Sequence, residues 1–154
     1  MFKQTLYDAF SKMSPYDRHR LTKFLFDNQG DCKIEKKDIT SAIEYAMKDR
    51  PSFGGYVVTA EDDNDNIIAA TVVNKTGMAG YGPESILVYF ATQQNTDYEV
   101  NRNLLDQTIK VAKGDIAFLV TPDNPWKAIF RKLGFESKLL EMKYSKPNRN
   151  SLAS

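Results

Sequence analysis

The sequence has few of the residues that mark disulfide-stabilised, metal-binding, membrane or nucleic-acid-binding proteins. It contains one cysteine, Cys32, which excludes an internal disulfide, and one histidine, His19, without visible partners for a metal site. No window approaches the ~18 consecutive apolar residues that a membrane-spanning helix needs. Lys and Arg total 21 against 20 for Asp and Glu. The formal net charge of +1 therefore predicts neither nucleic-acid binding nor attraction to membrane surfaces.

What remains is the composition of an ordinary globular protein. The chain has 154 residues, of which 42% are apolar and 12% aromatic, enough to build a sizeable core. We predict a single domain over residues 1–144 and a flexible polar tail over 145–154. The first residues lack the apolar run of a secretion signal, so we expect a cytoplasmic protein.

The first half of the chain predicts two helices and a hairpin. Ser14 followed by a proline indicates a helix start, and a second helix is predicted to begin near Asp38. Two β-rich runs, 56–60 and 67–73, are separated by the polar stretch 61–66, which is typical of an antiparallel hairpin.

The centre of the chain reads as a buried strand that runs directly into an amphipathic helix. The strand is predicted over 86–92, and the helix continues to Val111. Thr96-x-x-Glu99 has the pattern of a capping box, in which side chains satisfy the free N–H groups of the first turn. The junction therefore has the architecture of an anion site, but Asp97 and Glu99 give it the wrong charge.

The remaining segments predict a β-α-β unit and two further elements. The continuous apolar run 115–120 suits a strand that pairs in parallel after the helical crossover. Asn124 is predicted to cap a short helix with Pro125 at its first position, and Gly134 to end it. A last strand is predicted over 139–144.

This order of elements, with the short helix ending in Gly134-Phe135, resembles the GNAT family of N-acetyltransferases. The resemblance covers roughly residues 21–144, and its most specific local match is 124–135. It implies an α/β (α+β) fold: a GNAT-like mixed central sheet with N-terminal helices and a β-α-β-α-β C-terminal half. It also implies acetyl-CoA as cofactor and acetyl transfer to an amine, on a small molecule or a peptide.

The resemblance implies a set of cofactor contacts and two catalytic candidates. The implied cofactor contacts are Phe90, Ala91 and Thr92 on the central strand, Asn101 and Arg102 on the helix, and Asn124. Glu84 could accept a proton from the amine, directly or through water, or could be a solvated strand-entry carboxylate. Tyr89 is expected on one face with Ser85 and Leu87, where its hydroxyl could meet a thiolate or simply pack in the core.

The sequence departs from the family pattern at the cofactor loop. Alignment on the helix leucines places Thr96, Glu99 and Asn101 where the family has Arg or Gln and two glycines. The carboxylates of Asp97 and Glu99 should weaken binding of a diphosphate, so acetyl-CoA is a doubtful cofactor. Arg102 could compensate, or could pair with Asp106.

A second departure concerns the proton donor. Phe130 stands four residues before the glycine of Gly134-Phe135, where many members have a tyrosine. Together the departures leave a second hypothesis open: a non-catalytic binding module with the same fold. A homodimer is possible under either hypothesis.

Overall fold

The computed structural model describes residues 2–30, 33–49 and 54–147, so Cys32 lies outside the described residues. Within them the chain forms five strands and four helices, in the order β1 (Lys3–Tyr7), α1 (Pro15–Asp27), α2 (Lys36–Ala46), β2 (Gly55–Glu61), β3 (Ile67–Lys75), β4 (Ser85–Thr92), α3 (Tyr98–Val111), β5 (Ile116–Phe118) and α4 (Lys127–Lys132). The chain divides into two compact units, Met1–Pro122 and Asp123–Ser154. No helix in the described residues is long and apolar enough to cross a membrane.

The strands of the first unit form one mixed sheet in the order β1-β2-β3-β4-β5. Neighbours from β1 to β4 are antiparallel, whereas β4 and β5 are parallel and joined by α3. The predicted hairpin and the predicted β-α-β unit are both confirmed. β5 is shorter than the apolar run suggests, because only Ile116, Ala117 and Phe118 pair with β4.

Helices α1 and α2 cover one face of the sheet. α1 begins as predicted: the Ser14 Oγ accepts the Asp17 N–H at 3.0 Å, with Pro15 at the first helical position. α2 buries one side at helical spacing, including Ile39 and Ile43. These side chains pack with residues of β2, β3 and β4 in a single hydrophobic core.

Helix α3 covers the opposite face of the sheet. Tyr56 alternates with the core residue Val57 and therefore points away from α1 and α2. Its hydroxyl donates to the Thr108 carbonyl of α3. The hydroxyls of Thr71 and Thr108 lie 2.8 Å apart, in a buried link between β3 and α3. These hydrogen bonds fix α3 at its C-terminal half.

Three tyrosines of the first unit have raised pKa values, from which we expect the protein to lose stability at alkaline pH. Burial raises the pKa of Tyr56 above its ordinary value of 10.0, and burial also raises the pKa values of Tyr7 and Tyr89. The stabilisation is fully present below the unfolded pKa and is lost as pH rises above it, because the unfolded chain then releases protons first. We expect the free energy of unfolding, measured by urea titration, to fall above pH ~10. The Tyr56→Phe variant should show a shallower fall, and an equal slope would contradict this explanation.

Strand β1 was not predicted from the sequence. Lys3–Tyr7 pairs antiparallel with Val57–Glu61 at the edge of the sheet. Its side chains are half-buried or exposed, so the segment lacks the apolar pattern by which a buried strand is recognised.

The described part of the second unit contains α4 and, after it, a segment that forms neither helix nor strand. Gly134 has φ 103°, and the Phe135 N–H donates to the Phe130 carbonyl at 3.0 Å, so the predicted helix end is confirmed. The predicted strand over 139–144 is wrong: the segment forms no ladder and Leu139 is 92% exposed. A strand needs a paired neighbour, which alternation alone does not supply. Most of the predicted tail, from 148 onward, lies outside the described residues.

Candidate active site

A β-bulge interrupts the central strand β4. Leu87 pairs with Val73 and Tyr89 pairs with Val72, so Val88 is an extra residue without a partner on β3. A bulge bends the strand and increases its twist, which redirects the residues that follow. Residues 89–92 therefore run at an angle to the first half of β4.

The bulge coincides with the end of the pairing between β4 and β5. The last register pair is Leu87 with Phe118, whereas β4 continues to Thr92. In the described part of the chain, no strand continues the ladder on this side of β4 beyond Leu87. The second half of β4 therefore lacks a strand partner on this side; we call this unpaired edge, together with the exposed Leu119 and Val120 that follow β5, the cleft.

The bulge also moves Tyr89 to the face opposite to the one expected. Its partner Val72 belongs to the core under α1 and α2, whereas Leu87 pairs with Val73 on the α3 face. The expectation that Tyr89 and Leu87 share a face is therefore wrong. Burial, and then the Asp38 carboxylate of α2, raise the pKa of the half-buried Tyr89. Tyr89 and Asp38 lie on separate elements that only the tertiary fold brings near each other, so no sequence pattern links them.

The turn between β4 and α3 is held by Thr96, but not as a capping box. The Thr96 Oγ1 donates to the Gln93 carbonyl at 2.7 Å and reaches the Ile68 carbonyl at 3.4 Å. Asn95 adopts φ 68°, a left-handed conformation that asparagine tolerates. The Thr96-x-x-Glu99 prediction is wrong because Thr96 bonds backward to its own loop and to β3.

The first turn of α3 is consequently open. Its N-cap is Asp97, and no side chain caps the helix. The Glu99 N–H donates to no acceptor among the described residues, although its own carboxylate lies exposed in the same turn. Arg102 is exposed, and Asp106 pairs at 3.0 Å with Lys110 instead of Arg102. An anion here would meet the Glu99 N–H and one guanidinium, but also two carboxylates.

Asn101 lies under the helix and not at its exposed surface. The residue is 2% exposed, and its Oδ1 has no hydrogen-bond partner among the described residues. An unsatisfied buried amide oxygen is costly, about 1–3 kcal/mol, so it is an uncommon feature of a helix interior. The side chain would have to rotate outward to contact a phosphate.

Glu84 lies at the other end of β4. It precedes the strand, four residues before the bulge, or ~13 Å along an extended chain. Its carboxylate packs over Gly114, where an added Cβ would lie 1.8 Å from the Glu84 Oε2. Contact between Glu84 and a group bound at the bulge would require intervening water.

The fold described above matches known acetyltransferase structures over almost its whole length. An aminoglycoside 6'-N-acetyltransferase from Acinetobacter baumannii superposes with a TM-score of 0.64 at 13% identity, over 96% of this chain and 99% of that chain. A predicted acetyltransferase from Clostridium acetobutylicum, solved with acetyl-CoA, gives 0.64 at 17% identity, over 93% and 96%. Glucosamine-6-phosphate N-acetyltransferase from Arabidopsis thaliana gives 0.60 at 10% identity, over 94% and 98%.

The chain has the GNAT fold. Its sequence matches no protein-family model and no curated protein, so the relationship is visible in the structure alone. The resemblance to the GNAT family places most of the cofactor contacts on strand β4 and near the start of α3. In the structure these are the bulged strand with its cleft and the open first turn of the helix.

The second unit carries the remaining residues of the GNAT resemblance. Asn124 does not cap α4, because its Oδ1 accepts the Trp126 N–H at 2.8 Å in a turn that precedes the helix. Phe130 is buried and packs edge-on against Phe135, with ring centroids 5.0 Å apart. Phe130 has no hydroxyl, so a proton donor at this position of the GNAT fold is absent.

Proposed function

We propose that this protein is an N-acetyltransferase that transfers an acetyl group from acetyl-CoA to an amine. The observation that carries the proposal is the cleft in the sheet, where β4 bulges at Val88 and its ladder with β5 stops at Leu87. The solved structures with the same fold are acetyltransferases, and one of them holds acetyl-CoA. Acetyl-CoA would supply an activated acetyl thioester at this cleft.

The cleft suits the arm of the cofactor better than its diphosphate. The pantetheine arm carries two amides, and the backbone of Phe90, Ala91 and Thr92 can hydrogen-bond them as a further strand would. At the start of α3, the free Glu99 N–H and the Arg102 guanidinium favour phosphate, whereas the Asp97 and Glu99 carboxylates oppose it. We therefore propose that this protein binds acetyl-CoA more weakly than a protein with a glycine-rich loop at this position would.

Tyr89 is the proposed proton donor to the departing thiolate. It follows the bulge directly and lies on the α1 and α2 side of the cleft. Like any tyrosine the phenol holds its proton at neutral pH, and burial with the Asp38 carboxylate raises its pKa, so it would donate only to a strongly basic thiolate held against it. Glu84 is the proposed base, acting through water, and Asp38 is placed to attract a positively charged amine. Asn101, Arg102 and Asn124 stay proposed cofactor contacts.

Thermal unfolding with acetyl-CoA tests the proposal. A ligand at 100 times its dissociation constant stabilises a folded protein by about 2.7 kcal/mol, which corresponds to about 5–10 °C in Tm for this chain length. We expect such a shift with millimolar acetyl-CoA, followed by acetylation of small amines in a thiol-release assay. The absence of any shift would reject cofactor binding and leave a non-catalytic use of the fold.

Replacement of Glu99 by Gln should strengthen binding of acetyl-CoA. Removal of one like charge near a phosphate is worth about 1 kcal/mol at the protein surface, or about fivefold in Kd. The matched control is Asp106→Asn, which makes the same charge change two turns along α3. Equal effects of the two variants, or weaker binding by Glu99→Gln, would show that the diphosphate does not lie at this helix start.

A further inference from the structure

A second concavity lies at the other end of the sheet, within the first unit. Its volume is about 420 Å³, within the ~300–1,000 Å³ typical of small-molecule sites. It opens where β2 and β4 begin and where α3 ends. The distance along β4 from Ser85 to Thr92 is ~23 Å, and the ladder of β4 with β5 lies between this cavity and the cleft.

Two residues at the start of β2 line the cavity in a fixed position. The Tyr56 ring is buried and its hydroxyl is bound to the Thr108 carbonyl. Beside it, Gly55 has φ 152°, and an added Cβ would lie 1.9 Å from the Val73 carbonyl oxygen, so only glycine fits there.

Ser85 provides a polar group in the wall of the cavity. The residue is 7% exposed, and its N–H donates to the Asp115 carbonyl at 3.1 Å. Its hydroxyl has no hydrogen-bond partner among the described residues. A hydroxyl that lines the cavity without a partner can donate to, or accept from, a ligand atom there.

Charged side chains of both signs line the cavity: Lys48, Lys75 and Lys113, and Asp8, Asp49 and Glu84. In the part of the chain that the structure describes, neither Lys75 nor Lys113 has a carboxylate within 4.0 Å. A ligand that carried only one sign of charge would lie near side chains of like charge.

The rim of the cavity also carries an exposed aromatic ring. Phe10 lines the cavity from the loop after β1 and is 84% exposed. Exposed aromatic side chains beside a cavity can be covered by an apolar ligand group, which removes apolar surface from water.

We propose that this cavity binds a small zwitterion with an apolar side group, of the amino-acid type. Its carboxylate would lie toward Lys75 and Lys113, its ammonium group toward Asp49 and Glu84, and its apolar group against Phe10. The Ser85 hydroxyl would satisfy the remaining polar contact. This site lies at the opposite end of β4 from the acetyl-transfer cleft and does not depend on acetyl-CoA binding, although Glu84, the proposed base of the transfer, also lines it.

Calorimetric titration of the whole protein with L-phenylalanine tests the proposal. We expect a Kd in the millimolar range or tighter, and at least tenfold weaker binding of two probes with the same ring: phenethylamine, which lacks the carboxylate, and 3-phenylpropanoate, which lacks the amine. No heat of binding with L-phenylalanine, or equal binding of a probe with one charge, would overturn the proposal.

Two variants locate the site. Lys113→Gln and Ser85→Ala should each weaken L-phenylalanine binding at least fivefold. Lys110→Gln, three residues earlier in the last turn of α3, should not change it. Far-ultraviolet circular dichroism and the melting temperature check that each variant is folded. Unchanged binding in folded Lys113→Gln and Ser85→Ala would place the ligand elsewhere and refute the assignment. The acetyl-CoA shift, measured in parallel, reports separately on the cleft.

Discussion

Deletion of Val88 is expected to abolish acetyl-CoA binding while the protein stays folded. Without Val88, Leu87 and Tyr89 become neighbours and keep their partners Val73 and Val72, so each side chain stays on its present face. The strand becomes regular, and β5 can continue its ladder into the cleft. The dissociation constant should rise at least a hundredfold, equivalent to about 2.8 kcal/mol.

The stability of the deletion variant distinguishes a lost cleft from a lost fold. Val88 is only half-buried, so its removal should cost about 1 kcal/mol of apolar burial. Val88→Ala is the matched control, because it keeps the bulge and removes a similar apolar surface. Thermal melting and calorimetry should show a folded deletion variant without cofactor binding, and a Val88→Ala variant with it. Undiminished binding by the deletion variant would show that the bulge does not create the site.

Replacement of Arg20 by Met is expected to lower the free energy of unfolding more than any other substitution proposed for this protein. The Glu61 side chain is 7% exposed, and the Arg20 Nη2 lies 3.9 Å from its Oε2. The same guanidinium donates to the Asp65 carbonyl and lies 3.3 Å from the Asp17 Oδ1. Removing one partner of a buried ion pair costs about 3–5 kcal/mol. Because Arg20 is partly exposed, we expect the low end of this range.

Urea titration of three variants checks this explanation. The double variant Arg20→Met with Glu61→Leu should recover most of the loss, because no buried carboxylate is then left without a partner. Lys23→Met is the control on the same helix, since Lys23 pairs with Asp27 at the surface and such pairs contribute less than about 1 kcal/mol. An additive loss in the double variant would mean that Glu61 does not need Arg20.

The parts of the fold that are determined locally could be predicted. Ser14 with Pro15 defines the start of α1 through its own hydrogen bond, and the polar stretch 61–66 separates two strands that pair directly. The spacing of Ile39 and Ile43 reflects burial on a single face. In each case the decisive contacts join residues that are close in sequence.

The parts that depend on distant partners were missed or misplaced. β1 is a strand because it finds the edge of β2, and 139–144 is not one because it has no such partner in the described residues. The bulge at Val88 inverts the face of Tyr89 although the alternation of the sequence is regular. Thr96 fits a capping box by sequence, but the nearby carbonyls of Gln93 and Ile68 compete for its hydroxyl.

The location of the candidate site comes from the resemblance and stays a prediction, and part of its chemistry has no sequence signal. Strand β4 and the start of α3 are where the resemblance places the cofactor contacts. Two features have no sequence signal: the meeting of Tyr89 with Asp38, and the burial of Asn101 beneath α3. Both depend on how a helix is rotated against the sheet, which periodicity does not determine to within one residue.

The brevity of β5 has a dynamic consequence. Three residue pairs join β5 to β4, whereas seven join β2 to β3. Segments with few pairs open first in native proteins, without unfolding of the rest. The amides of Ile116–Phe118 should therefore exchange with solvent long before those of β2, and this margin of the sheet can widen to admit a bulky molecule while the interior stays intact.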